Sequence, residues 1–300
     1  MNPKISVIIP TYNRPHLIAR AIKSVLNQTY KNFEIVVIDN NLDKKTKEVI
    51  DKFNDKRIIY IHNTENTNAP ASRNLGVKKS SFDSKYISFL DDDDEFFPKF
   101  FEKTIAVLEG DKSISLVTTE WELRSRNGKK IRNDKYSKNF WEIPVSSGWV
   151  IDKNIFLKED FWFDEKLKFM EDFDFGLRIL KEHKWKFISE VLRVYYIIPL
   201  QNDSSVSSNL SIEAVKSFYN KNYEFFKKYG NKSLAYFYFT MGKAFMRAKE
   251  YKMGRKNFIN ASKSDFLLVY FLYYFLSFFP GIFSNPKIRF LKQKIFRGKI

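Results

Sequence analysis

Four consecutive aspartates, Asp91-Asp92-Asp93-Asp94, stand beside Glu95. Adjacent carboxylates repel, which raises their proton affinity unless a cation neutralises them. Hard oxygen ligands of this kind suit Mg2+ or Mn2+, which keep some of their waters and commonly hold substrate phosphates. A metal there would bridge a diphosphate and stabilise its charge as it leaves. A solvated acidic loop or helix start uses the same residues, since acids favour helix N-termini. The aspartates by themselves do not choose between these readings. A second acidic pair, Glu171-Asp172, precedes Phe173, Leu177 and Leu180, which share one face of a helix expected from about 171 to 183. Neighbouring helical side chains diverge by about 100°, so only one of the pair can aim squarely at a site.

The elements that must position these acids are legible in the hydrophobic pattern. Short apolar runs at 5–9, 33–38, 57–61 and 86–90 have the length of buried strands. Between the first two, Leu17, Ile18, Ala21, Ile22, Val25 and Leu26 recur at helical spacing, with Pro15 in the tolerated first turn. Further helices are expected over 43–53 and from about 70. Strand and helix alternating in this way predict an α/β fold, a mostly parallel sheet with helices on both faces. Asn127-Gly128 predicts a hairpin turn between 121–123 and 129–131.

Ligands of such sheets bind beyond the carboxyl ends of the strands. Pro10-Thr11-Tyr12-Asn13-Arg14, Asp39-Asn40-Asn41, Ala71-Ser72-Arg73-Asn74-Leu75-Gly76 and Asp91 to Glu95 all follow strands, so one edge should gather them. That placement favours metal over a solvated loop for the aspartates. Prenyl-chain synthases carry their paired aspartates on helices, whereas this run ends a strand. Aspartyl-nucleophile phosphatases place their motif after the first strand, which here ends in Pro-Thr-Tyr-Asn. No Gly-x-Gly-x-x-Gly follows any strand, so the dinucleotide fingerprint is missing.

Composition narrows the chemistry further. The 300 residues, 44% hydrophobic and 29% charged, can bury a core. With no cysteine there are no disulfides, thiolate metal sites or cysteine nucleophiles, and three histidines make a histidine-rich metal site improbable. No basic segment followed by a cleavable apolar one opens the chain, and 4–9 reads as a strand, so the catalytic part is expected in the cytoplasm. The formal charge of +17 favours polyanionic partners such as phosphorylated substrates, nucleic acid or an anionic membrane face, or reflects heavy lysine usage.

In their order, Ser6 to Arg14, Ala71 to Gly76, Phe89 to Glu95 and Glu171-Asp172 resemble the motifs of family 2 glycosyltransferases, over roughly residues 4 to 207. The resemblance implies the GT-A fold, in a membrane-associated type known from bacteria and archaea. It also implies transfer of a hexose from a nucleotide-diphosphate sugar, UDP-sugar first, with inversion and with Mn2+ or Mg2+ as cofactor. By the same resemblance, Tyr12 would pack on the donor base, with Pro10 and Thr11 in that pocket and Asp39 and Asn40 reaching base or ribose. Arg73 would meet the base or the acidic run, Asp91 and Asp92 the ribose or diphosphate, and Asp93 the metal. Asp172 would be the general base, taking the proton of an acceptor hydroxyl on a glycan or lipid-linked oligosaccharide. Two departures stand out. Asn40 replaces a usual aspartate, and the stretch 195–202 lacks a usual histidine, leaving Gln201 or Asn202 as substitutes.

The catalytic domain is expected over 1–207, a helical hairpin region over 208–264 and a membrane-associating segment over 265–300. In the middle part, Tyr238, Met241, Gly242, Phe245, Gly254, Phe258 and Ala261 follow tetratricopeptide spacing, but one unit makes no repeat array. Residues 266–284 are uncharged, then Lys287, Arg289, Lys292, Lys294, Arg297 and Lys299 follow. Pro280-Gly281 leaves 266–279 unbroken, about 21 Å of helix, short of a hydrocarbon core of about 30 Å. An interfacial or re-entrant anchor with the basic tail on anionic headgroups is expected, peripheral or monotopic on the inner face of the cell membrane, with a true span and a helix packed in the core as the alternatives. Competing readings are another nucleotide-dependent transferase, which lacks a phosphate-gripping loop here, and a basic module binding membrane or nucleic acid. The carboxylates at the strand ends repel nucleic acid, which is not expected as a partner.

Overall fold

A computed structural model describes residues 4–65, 67–134, 146–157, 161–197 and 210–279. The chain divides into two compact units, Met1–Lys166 with Met170–Ile198, and Leu167–Phe169 with Pro199–Ile300.

In the first unit, β1 (Lys4–Thr11), β2 (Phe33–Asp39), β3 (Ile58–His62) and β4 (Ser84–Phe89) form at the four apolar runs. They are joined by α1 (Pro15–Leu26), α2 (Lys45–Asp51) and α3 (Ala69–Lys79). These strands are parallel, in the order β3-β2-β1-β4. The chain steps outward from β1 to β3, then returns to lay β4 on the other side of β1. In open sheets of this kind ligands bind at such a reversal, beyond the carboxyl ends of the strands on either side of it, here β1 and β4. Tyr12 follows one of those ends and Asp91 the other.

The sheet continues through β5 (Glu95–Phe96), β6 (Ile114–Ser125), β7 (Lys130–Asp134), β8 (Val150–Asp152) and β9 (Lys184–Ile197). The full order is β3-β2-β1-β4-β8-β6-β9-β5, with β7 on β6. β8 is antiparallel to β4 and β6, while β6 and β9 form a long parallel ladder. The expected hairpin is β6-β7, with Leu123 opposite Arg132 and Gly128 at φ 82° in its turn.

Alternate residues of a strand face opposite sides, and β1 uses both. Ile5, Val7 and Ile9 pack with Ile18, Ile22 and Val25 of α1 and with Phe100 and Phe101 of α4 (Phe100–Gly110). On the other face, Ile8 packs with Val36, Val77 and Ile87, in a cluster reaching Phe175 and Ile179 of α5 (Glu171–Glu182). Covered on both faces, the strands have no polar alternation, which is why they read as continuous apolar runs. In α3, by contrast, Ser72, Arg73 and Asn74 are buried.

The second unit contains α6 (Ile212–Lys228), α7 (Asn231–Arg247), α8 (Tyr251–Ser264) and α9 (Leu268–Leu276). Ser211 caps α6 by accepting from the Ala214 N–H at 3.2 Å. Gly242 and Gly254 let α7 and α8 close up: a Cβ on Gly242 would lie 2.6 Å from Phe258, and one on Gly254 2.6 Å from Met246. Phenylalanines fill this core too, with Phe226 stacked on Phe237 at 4.8 Å. No helix among the described residues is long and apolar enough to cross a membrane. Gln201, Asn202, Pro280-Gly281 and the six basic residues from Lys287 to Lys299 lie outside the described residues.

Candidate active site

The acidic run turns sharply as it leaves β4, and each aspartate has its own surroundings. Asp92 is fully buried, accepting from the Thr11 hydroxyl at 2.6 Å and pairing with Arg14 at 2.8 Å. Asp93 takes the other arm of Arg14 at 3.0 Å, while its carbonyl accepts from Arg20 at 2.6 Å. Asp94, also buried, accepts from the Ser147 hydroxyl at 2.7 Å and from the Tyr196 N–H at 3.2 Å. Burial pushes the Asp92 carboxyl up to about 7 against the pull of Arg14. Burial raises Asp93 as well, and raises Asp94 well above the carboxylate range, with repulsion from neighbouring aspartates adding to both.

Asp91, Asp93 and Asp94 each bring a carboxylate oxygen within 4.8 Å of the others. Three oxygen donors so close, two with raised proton affinity, fit a hard divalent cation. Asp93 is therefore joined by Asp91 and Asp94 in the set that could hold metal. For the metal, the resemblance points to Asp93 alone within the run, and the geometry adds Asp91 and Asp94.

Four residues of the segment Ala71 to Gly76 make contacts that explain its composition. The Ser72 hydroxyl accepts from the Asn40 side-chain amide at 2.7 Å and donates to the Asn68 carbonyl at 2.9 Å. Arg73, 5% exposed, places one arm 3.1 Å from Asp91 and the other 3.0 Å from Glu171. Burial opposes its charge, but the Asp91, Glu171 and Asp172 carboxylates prevail and hold it firmly protonated. Asn74 donates to the Phe163 carbonyl and accepts from the Phe163 N–H, at 2.9 and 3.0 Å. A Cβ on Gly76 would stand 2.3 Å from Ile8, so only glycine lets α3 lie this close to β1.

Asn40 also accepts from the Asn63 amide at 2.7 Å. An aspartate here would have no donor for Ser72, whose proton is already given to Asn68. The departure at position 40 thus belongs to the wiring between β2 and α3. Asp39 is likewise engaged, accepting from the Asn41 N–H at 3.0 Å and the Tyr60 hydroxyl at 2.8 Å. At the end of β1, Pro10 is half-buried and Thr11 is turned in toward Asp92, and Tyr12, the next residue, is 47% exposed.

Asp172 opens α5 behind Met170, whose φ of 53° is left-handed and uncommon for a non-glycine residue. Its carboxylate accepts from the Ser146 N–H at 3.2 Å and from its own helix at the Phe173 N–H, 2.8 Å. Burial pushes it up to about 6 and the Glu171 charge adds, while Arg73 pulls it down. Asp174 points away, pairing with Arg178 at 3.0 Å.

A short turn, Ser146-Ser147-Gly148-Trp149, joins these parts. Its Ser146 N–H holds Asp172, and its Ser147 side chain holds Asp94 and accepts from the Asp91 N–H at 3.2 Å. Its Ser147 carbonyl accepts from buried Arg193. Gly148 has φ 93°, and a Cβ there would lie 2.2 Å from the Arg193 side chain. Sequence reasoning gave this turn and Arg193 no role. A Ser-Ser-Gly-Trp string carries no charge, and β9, which bears Arg193, had no clean alternation. Arg14 was visible as the end of the first motif, but its pairing with two of the four aspartates was not.

The family match takes in the strand-end residues and the Ser146-Ser147 turn and stops before α5. Residues 6–166 match the sequence model of Glycosyl transferase family 2. The chain belongs to that family. An uncharacterized glycosyltransferase of Methanocaldococcus jannaschii is 34% identical over 232 residues, 72% of this chain and 78% of that protein. Among solved structures, mannosyltransferase PcManGT from Pyrobaculum calidifontis, in complex with GDP-Man and Mn2+, superposes with a TM-score of 0.60 at 14% identity. That alignment covers 95% of this chain and 86% of that one. S. aureus TarS 1-349, in complex with UDP-GlcNAc, gives 0.59 at 17% identity, covering 87% and 73%. At such identities the likeness concerns the fold, which is GT-A. The protein is a glycosyltransferase.

Proposed function

We propose that the protein is an inverting, metal-dependent transferase that moves a sugar from a nucleotide-diphosphate sugar to a hydroxyl of a glycan or lipid-linked oligosaccharide. The observation carrying this reading is the single turn at Ser146-Ser147 that links Asp172 to Asp91 and Asp94. It supports the reading by setting a carboxylate with a raised proton affinity beside the Asp91, Asp93 and Asp94 cluster that could hold a cation.

In this reading Tyr12 offers its exposed ring to the donor base, beside Pro10, Asp39 and Asn40. UDP-sugar is the first candidate donor. Asp91 faces the ribose and diphosphate, and Asp92 holds Thr11 and Arg14 in place beside them. Asp91, Asp93 and Asp94 would hold Mn2+ or Mg2+, which when bound would supply positive charge to stabilise the departing diphosphate. Asp172 takes the proton from the acceptor hydroxyl. The acceptor oxygen bonds to the anomeric carbon as the bond from that carbon to the phosphate oxygen breaks, and one such displacement inverts the centre. A lipid-linked acceptor would set the enzyme at the cytoplasmic face of the cell membrane, attached through 265–300.

The test is binding of UDP, GDP and their sugars by full-length protein, with and without Mn2+, followed by hydrolysis across a donor panel. Metal-dependent binding of one nucleoside diphosphate is expected. Folded protein that ignores all of them in both conditions overturns the reading.

A further inference from the structure

Helices α8 and α9 of the second unit set a row of cations beside an exposed apolar face. Lys252, Arg255, Lys256, Ile259, Asn260 and Lys263 recur at three- and four-residue intervals along one face of α8. They line a cleft of about 530 Å³ whose other wall is Tyr274 and Phe278. The opposite face of α8, through Gly254, Asn257, Phe258 and Ala261, is buried. The guanidinium of Arg255 lies 5.0 Å over the Phe278 ring. None of the four cations is ion-paired among the described residues.

Beside the cleft, α9 turns only part of its surface inward. Val269 and Tyr270 are buried, and Tyr270 and Tyr273 pack on Phe239 at 4.9 and 4.8 Å. Phe266, Leu268, Phe271, Leu272, Phe275, Phe278 and Phe279 are exposed. These are seven of the eleven exposed large hydrophobic side chains among the described residues. Contiguous exposed apolar surface of this kind marks a binding face.

We propose that the cationic face of α8 and the apolar face of α9 form one docking surface for an anionic phospholipid bilayer. Lipid phosphates enter the cleft among Lys252, Arg255, Lys256 and Lys263, and the α9 side chains enter the headgroup and acyl boundary. Charge complementarity selects this occupant. The last fifty residues hold ten lysines and arginines and one acid, Asp265. Residues 287–299 contribute six of those lysines and arginines and no acid, and a second copy of α8 would be repelled by the cleft. At nine residues, about 14 Å, α9 suits lying in an interface and is too short to span one.

This deepens the membrane placement proposed above and moves its electrostatic centre upstream of the terminal basic tail. The test is co-sedimentation of the full chain with vesicles of phosphatidylcholine alone, or with about 30% phosphatidylglycerol. Binding to the anionic vesicles is expected to exceed that to neutral ones at least tenfold. The variant Lys252→Gln/Arg255→Gln/Lys256→Gln/Lys263→Gln should lose at least tenfold on anionic vesicles. Phe271→Ser/Phe275→Ser should lose binding while keeping its charge. The variant Lys252→Gln/Lys256→Gln/Lys263→Gln, which changes only exposed lysines, serves if the quadruple one misfolds.

If the wild type ignores anionic vesicles, both this surface and the membrane placement fall. If charge variants bind like the wild type, the surface falls and the placement stands on another segment. Single-stranded RNA bound in place of vesicles, and lost in the same variants, would also overturn it. Nucleotide binding, measured in parallel, reports on the catalytic reading separately.

Discussion

Arg73 lies 3.1 Å from Asp91, a helix side chain gripping the end of a strand. Its second arm reaches Glu171 at 3.0 Å, so one guanidinium spans the acidic run and the helix that carries Asp172. Removing one partner of a buried ion pair costs about 3–5 kcal/mol. Arg73→Met should destabilise the protein by that order in urea unfolding and cut transfer at least a hundredfold. Arg73→Lys keeps the charge but reaches one carboxylate at a time. It should fall between the two in stability and remain far below wild type in rate.

Asp172→Asn tests the base. Transfer should drop by about 10²–10⁴-fold, the usual worth of general base catalysis, with nucleotide affinity nearly unchanged by calorimetry. Loss of donor binding instead would contradict the role. With Asp172 pushed up to about 6, kcat/KM should rise with pH through that value and level off above it. A raised carboxyl favours the folded state at low pH, and that contribution is lost as pH rises through about 6. The Asn variant should therefore be at least as stable as wild type at pH 8, while its rate loses the acidic limb.

Metal binding is the third expectation. Buried acids with raised proton affinity, such as Asp94, hold protons in competition with a cation. Mn2+ with a nucleoside diphosphate should raise the unfolding temperature more at pH 8 than at pH 6. Asp94→Asn should weaken that response tenfold or more in apparent metal affinity. Unchanged metal affinity would remove Asp94 from the ligand set.

The four strand ends and the polar clusters after them could be read directly, because strands buried on both faces announce themselves as apolar runs and the loops between them are short. What could not be read was the pairing inside the site. Asp92 and Asp93 are adjacent in sequence, yet only packing decides that Arg14 bridges them and that Asp94 turns inward to Ser147. Ser146 and Ser147 lie about fifty residues from the aspartates and carry no sequence signal. Their role exists only because β8 inserts between β4 and β6. Helix α9 is similar: apolarity marked it, but which side chains remain exposed depends on how Tyr270 and Tyr273 meet Phe239.

Gly76 ends the motif that carries Arg73, and its reason is steric. A Cβ there would lie 2.3 Å from the Ile8 Cγ2, against a strand with no room to move between β2 and β4. Overpacking of this kind costs about 1–3 kcal/mol, and shifting α3 outward would also draw Arg73 away from Asp91. Gly76→Ala should therefore lower both stability and transfer rate. Ile8→Ala removes the two nearest obstructing atoms, Cγ2 and Cγ1, at the cost of a cavity. If the account is right, Gly76→Ala combined with Ile8→Ala is less damaging than the sum of the two changes made singly, in unfolding free energy. Strict additivity would mean that the contact between helix and strand is not what position 76 protects.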